Sequence, residues 1–152
     1  NDKGYKTIVS EINEGVVFKD SNVEVIAFRN SHGDLFESYG YLFITNDKRI
    51  LFSGDTAVSA ALKKYAKNLD ILVHEVYSSE GFKTKTDDWK IYHRAHHTSS
   101  IDLGILAKEL KPKKLVPSHI LFWGASENSV INDIKMNFDG EVILASDLLV
   151  LE

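Results

Sequence analysis

Cysteine is absent from the 152 residues, which excludes a disulfide scaffold, thiolate-bound zinc, iron–sulfur clusters and thiol catalysis. Proline is nearly absent too: Pro112 and Pro117 are the only two, and no linker-like stretch divides the chain. One domain over residues 1–152 is the expected organisation. No apolar run approaches the roughly 18–20 residues that cross a bilayer, so no membrane segment is expected. Runs of Lys or Arg never exceed two, and the net charge is −4, which argues against a dedicated nucleic-acid surface. The chain opens on Asn1 rather than Met, so the lack of a targeting signal is uninformative. What is present is a composition for a core: 43% hydrophobic against 26% charged residues. A chain of this size buries roughly two-thirds of its unfolded surface and needs no staple to fold.

The first third reads as β. Lys6–Ile12, Gly15–Lys19, Val23–Arg29, Tyr39–Thr45 and Arg49–Phe52 are short β-branched or aromatic runs, punctuated by Gly, Asn and Asp. After Asp55 the period changes: Val58, Ala61, Leu62, Tyr65 and Ala66 fall on one helical stripe. Leu69–Val73 reads as a buried strand, and the polar segment Ser78–Lys90 as a long loop. A helix opens at Ser99, with Asp102 at capping-box spacing and Leu103, Leu106, Ala107 and Leu110 as its buried stripe, and Pro112 stops it. Lys114–Pro117 is a further strand, Ser126–Met136 a further helix, and Glu141–Leu144 and Leu148–Leu151 close the chain as strands. A β-rich start followed by β–α alternation predicts an α/β (α+β) layered domain, a mixed sheet with flanking helices.

The histidines are unevenly placed. His32 stands apart, whereas His74, His93, His96, His97 and His119 crowd the second half. Several polar groups stand where strands should end: Asp55 after Ile50–Gly54, His74-Glu75 after Ile71–Val73, and His119 after Leu115–Ser118. Ligands of open α/β sheets bind at the carboxyl ends of strands, so these groups suggest one convergent site. Asp55 after Gly54 reads equally as a turn or helix cap and as a ligand. His93–Thr98 is expected in a loop before a helix amino terminus, whose positive end favours neutral imidazole. Glu75 and His74 point to opposite strand faces, and Glu75 is the one expected to face the site, beside a catalytic imidazole.

Phe52-Ser53-Gly54-Asp55-Thr56, Asp70-Ile71-Leu72-Val73-His74-Glu75, Ala95-x-His97-x-Ser99 and Lys114-Leu115-Val116-Pro117-Ser118-His119 together resemble the metallo-β-lactamase-fold hydrolases. The branch they are most similar to is the ribonuclease Z-like one, from about Asn22 onward. The resemblance implies a four-layer αββα sandwich of two similar halves, with this chain as one half. It implies that Asp55 bridges two metal ions, usually zinc, and that His119 is a terminal ligand. It implies that His97 is the non-ligand histidine that assists the chemistry, with Ser99 in place of the family's Thr, and that Glu75 orients it. His32, His93, His96 and Trp123 are candidate pocket residues.

The family's His-x-His-x-Asp-His motif, and a further ligand histidine before the bridging aspartate, have no counterpart here. The chain is therefore expected to be the carboxyl-terminal half of such a domain, needing the amino-terminal half as a partner or self-associating. A ribonuclease Z would also carry Ser-Arg-Tyr after the last ligand, where this chain has Ile120-Leu121-Phe122-Trp123-Gly124. The expected function is the carboxyl-terminal part of a dinuclear zinc hydrolase. It would act through a metal-activated hydroxide on a small phosphoester, ester or lactone, a small-molecule substrate, with nucleic acid and membrane not expected as partners. A ribonuclease Z-like phosphodiesterase and a metal-free, non-catalytic module are the alternatives. Alone, the chain is expected to bind metal weakly or not at all and to turn over negligibly. A single-metal site built from His93, His96 and His97 is a third reading.

Overall fold

Short β-branched runs broken by turn residues form four antiparallel strands in the computed structural model, which describes Gly4 and residues 8–151. They are β1 (Gly15–Lys19), β2 (Val23–Arg29), β3 (Tyr39–Thr45) and β4 (Arg49–Phe52), the bounds read from the sequence. From β4 onward the neighbours are parallel: β5 (Ile71–Tyr77), β6 (Lys114–Leu121) and β7 (Glu141–Val142) complete one mixed seven-stranded sheet in chain order. Parallel neighbours need crossovers. These carry α1 (Ala60–Tyr65), α2 (Ser79–Lys83), α3 (Asp87–His96), α4 (Ser100–Leu110) and α5 (Glu127–Lys135).

Strand alternation sorts the side chains into two faces. Phe28, Leu42, Leu51, Leu72, Val76 and Leu115 form one buried core with Leu62 of α1, Leu103 and Leu106 of α4, and Val130 and Ile134 of α5. The other face carries Tyr41, Phe43, Ile50, Phe52 and Val73. Phe43 and Phe52 meet edge to face at 5.5 Å, and Phe52 remains exposed. Helix α4 starts as read: Ser99 Oγ accepts the Asp102 N–H at 3.0 Å, and Lys111 turns left-handed at φ 51° before Pro112. A methyl group on Gly104 would lie 2.6 Å from the Ile134 carbonyl oxygen, so α4 and α5 touch through backbone. Gly104→Ala is expected to destabilise by about 1–3 kcal/mol through overpacking, measurable as a lower urea midpoint.

Four expectations are corrected. Lys6 and Thr7 lie outside the described residues, and residues 8–12 form no strand; Ile8 and Val9 are exposed. Ser78–Lys90 is helical rather than loop: Ser78 Oγ caps α2 through the Gly81 N–H, and Thr86 opens α3. Strands β5 and β6 run on to Tyr77 and Leu121, because a backbone bulge, described below, keeps them paired. Leu148–Leu151 is not a strand: Asp147 and Leu148 form a turn, with Leu148 at φ 62°, and residues 149–151 have no regular structure.

His74 alternates into the core between Leu72 and Val76 and is fully buried. Its Nδ1 donates to the Glu75 carbonyl at 2.6 Å, and Nε2 has no partner. Burial pushes its pKa below the ordinary histidine value. In the unfolded chain the same ring protonates first as pH falls, so stability is full above about pH 6.5 and declines below it, by up to about 1.4 kcal/mol per pH unit. Chemical denaturation at pH 7.5 and 5.5 is expected to show that loss, and His74→Leu to reduce it.

Candidate metal centre

Three parallel strands end at the site. Phe52 closes β4, Gly54 turns at φ 61°, and a methyl group there would meet the Tyr39 carbonyl at 2.5 Å; glycine alone makes this turn without strain. Asp55 follows, half-buried. On β6, Glu75 pairs with Ser118 and Val76 with Ile120, so His119 is the extra residue of a β-bulge. It sits at φ 44°, a conformation that costs a non-glycine residue about 1–3 kcal/mol and that clusters at functional sites. The bulge brings His119 Nε2 to 3.4 Å from Asp55 Oδ2. A cleft of about 220 Å³ on the helix-free face is lined by Tyr39, Phe52, Asp55, Glu75 and His119 among others.

Glu75, buried on β5, faces His97. Its Oε2 accepts from His97 Nδ1 at 3.2 Å, and its Oε1 from the Thr98 N–H at 2.7 Å. An ionised carboxylate only accepts, so the proton stays on Nδ1 and His97 Nε2 carries the lone pair. His32 is set likewise: Nδ1 lies 2.8 Å from the His96 carbonyl oxygen, which can only accept, leaving Nε2 with its lone pair. His32, Asp55 and His97 each offer a ligand atom, and these lie within 4.8 Å of one another. The His97 and His119 rings are 6.1 Å apart. Sequence reasoning placed His32 near a pocket without a role. Its signal lies in the fold, since the β2–β3 loop packs on α3 through the Gly33 N–H and Ala95 carbonyl at 3.0 Å.

The loop expected at His93–Thr98 is instead the last turn of α3, with His97 as its C-cap. His93 and His96 therefore sit at a negative helix end, not a positive one. His96 Nδ1 bonds the Tyr92 carbonyl at 2.7 Å and its ring stacks on Tyr92. His93 is packed between Trp89 and Trp123, with both ring nitrogens buried and unpartnered. Burial first, and then the neighbouring His97, His96 and Lys85, lower its pKa. Among the described residues these three histidines do not form a ligand set; the group that does is His32, Asp55 and His97.

Residues 2–120 match the beta-lactamase superfamily domain. The sequence is 25% identical over 166 residues to the ribonuclease Z of Bacillus subtilis, covering 76% of this chain and 52% of that protein. It is 23% identical over 199 residues to the ribonuclease Z of Archaeoglobus fulgidus, covering 97% and 62%. The chain thus spans little more than half the length of these relatives. Both alignments are longer than the chain itself, so these relatives carry residues here that this chain lacks. The fold is similar to that of the metallo-beta-lactamase fold protein YhfI from Bacillus subtilis, with a TM-score of 0.71 at 20% identity over 89% of this chain and 52% of that one.

Proposed function

Because the chain belongs to the beta-lactamase superfamily, we propose that it is the carboxyl-terminal half of a metal-dependent hydrolase, acting on a small phosphoester. The observation that carries this reading is the Asp55–His119 approach at 3.4 Å across the bulge, beside two imidazoles whose free nitrogens are fixed by their neighbours. Carboxylate oxygen and imidazole nitrogen suit zinc, and metal-ligating histidines typically donate their other N–H to a carbonyl or carboxylate, as His32 and His97 do here. Asp55 and His119 would hold a divalent ion here, beside His32, whose ligand atom lies within 4.8 Å of those of Asp55 and His97. When bound, divalent ions polarise the substrate and lower the pKa of water.

The protein's own residues do the rest. Glu75, itself held by the Thr98 N–H, fixes the His97 ring, and the Nε2 lone pair takes a proton from the attacking water and passes it to the leaving oxygen.

Catalytic zinc normally takes three protein ligands and water, and this half holds few strong donors. Residues 1–152 are expected to bind zinc more weakly than about micromolar, and Asp55→Asn to lose even that. Calorimetric titration checks it; tight stoichiometric binding would contradict the half-site. The helix-free face with Phe43, Phe52 and Val73 calls for a cover, either the amino-terminal half or a second copy. Size-exclusion chromatography is expected to show self-association, and a clean monomer would count against it. The kinship to ribonuclease Z proteins favours a second reading, tRNA processing. In a form carrying an upstream His-x-His-x-Asp-His segment, bis(p-nitrophenyl) phosphate is expected to be hydrolysed faster than a tRNA precursor. The reverse order would assign the second reading.

A further inference from the structure

We propose that the aromatic cluster beside His97 is a subsite for a flat heteroaromatic group of the substrate, and that His93 supplies its hydrogen bonds. This rests on the reading above, in which the scissile group lies between Asp55, His119 and His97.

Helix α3 sets Trp89, Tyr92 and His93 along a cleft of about 450 Å³, with Asp88 at its edge. His93 is 5% exposed, and neither ring nitrogen has a partner. A phenylalanine would fill the same space without leaving two polar atoms unsatisfied, so packing alone does not account for an imidazole here. Its ring stacks on Trp89 at 4.7 Å, meets Trp123 edge-on at 4.6 Å and lies 5.4 Å from the His97 ring. The cluster is therefore continuous with the proton-handling histidine.

Trp123 is held there at some expense. It stands at φ 48°, followed by Gly124 at φ 88°, the kind of strain that persists where the surroundings fix it. Room for it comes from Gly81, whose added methyl would lie 2.3 Å from the Phe122 carbonyl and 3.0 Å from Trp123 Cβ. Lys85 brings a cation beside the cluster, 5.0 Å from the Trp123 ring and 5.9 Å from Trp89.

These features select a ligand class. Trp89 and Tyr92 are half exposed and offer π-faces to a flat ring. A neutral imidazole offers one donor and one acceptor, which suits the edge of a heteroaromatic ring better than a hydrocarbon one. The Lys85 ammonium suits an anionic group attached to that ring.

Both tryptophans of the chain lie in this cluster, so intrinsic fluorescence reports it directly. The 152-residue chain, in EDTA, is titrated with adenosine 5′-monophosphate, phenyl phosphate and inorganic phosphate. The nucleotide is expected to quench saturably, phenyl phosphate to bind about tenfold more weakly, and inorganic phosphate to have no effect. His93→Phe is expected to weaken the nucleotide to the level of phenyl phosphate and leave phenyl phosphate unchanged. Trp89→Leu, at a half-exposed position that the fold tolerates, is expected to weaken both aromatic probes. The proposal is overturned if neither aromatic probe quenches saturably, if the two bind equally, or if His93→Phe holds the nucleotide as tightly as the parent chain. Neither metal nor turnover enters the measurement, so its failure leaves the Asp55–His119 reading standing, and failure of that reading leaves this titration interpretable.

Discussion

Glu75→Gln is expected to lower kcat of the proposed hydrolase by about two to four orders of magnitude with little change in KM. Glu75 accepts on both oxygens, from His97 Nδ1 and from the Thr98 N–H. Glutamine keeps the shape but replaces one acceptor with an NH₂ donor. If the NH₂ faces Thr98, two donors collide in a buried site. If it faces His97, the ring must shift its proton to Nε2, and the nitrogen nearest the substrate loses its lone pair. Steady-state kinetics at saturating zinc, with zinc affinity measured alongside, checks this. Affinity is expected to hold within a few-fold, because Glu75 acts through His97. A loss of less than about threefold in kcat would remove Glu75 from the mechanism.

Replacing His119 is expected to have opposite effects on stability and on function. His119→Gly should reduce zinc affinity by at least about a hundredfold and remove detectable turnover. The same change relaxes a residue held at φ 44°, and the gain is partly offset by the greater freedom of glycine when unfolded. Net stability is therefore expected to stay equal or to rise by up to about 1 kcal/mol. His119→Ala, which removes the ring but keeps the strain, should match the functional loss without the gain. Urea denaturation of the three proteins separates strain from side-chain loss; a clear destabilisation by glycine would show that the bulge is held by the imidazole itself.

The fold was legible where local chemistry decides it. Strands β1–β4 were read to the residue because turn residues flank each run, and α4 because Ser99, Asp102 and Pro112 mark both its ends. Helices α2 and α3 were missed because α3 buries His93 and His96 instead of an aliphatic stripe, so it reads as polar; Ser78 and Thr86 were the available cap signals. The polar residues expected to converge at strand ends do so, and the alternation of His74 into the core and Glu75 toward His97 followed from strand geometry alone. The bulge that aims His119 has no sequence mark, because it is fixed by pairing with β5. Nor does His32, which reaches the site only because its loop docks on α3.

The central claim is that a divalent ion belongs among Asp55, His119, His32 and His97, and it can be tested on the chain as it stands even if binding is weak. Substoichiometric Mn²⁺ added to the ¹⁵N-labelled protein broadens the amide signals nearest the ion. Broadening centred on His32, Asp55, His97–Thr98 and Ser118–His119, and abolished by Asp55→Asn, is the expected result. Broadening centred on His93 and His96, or on exposed acidic residues away from the cleft, would contradict it.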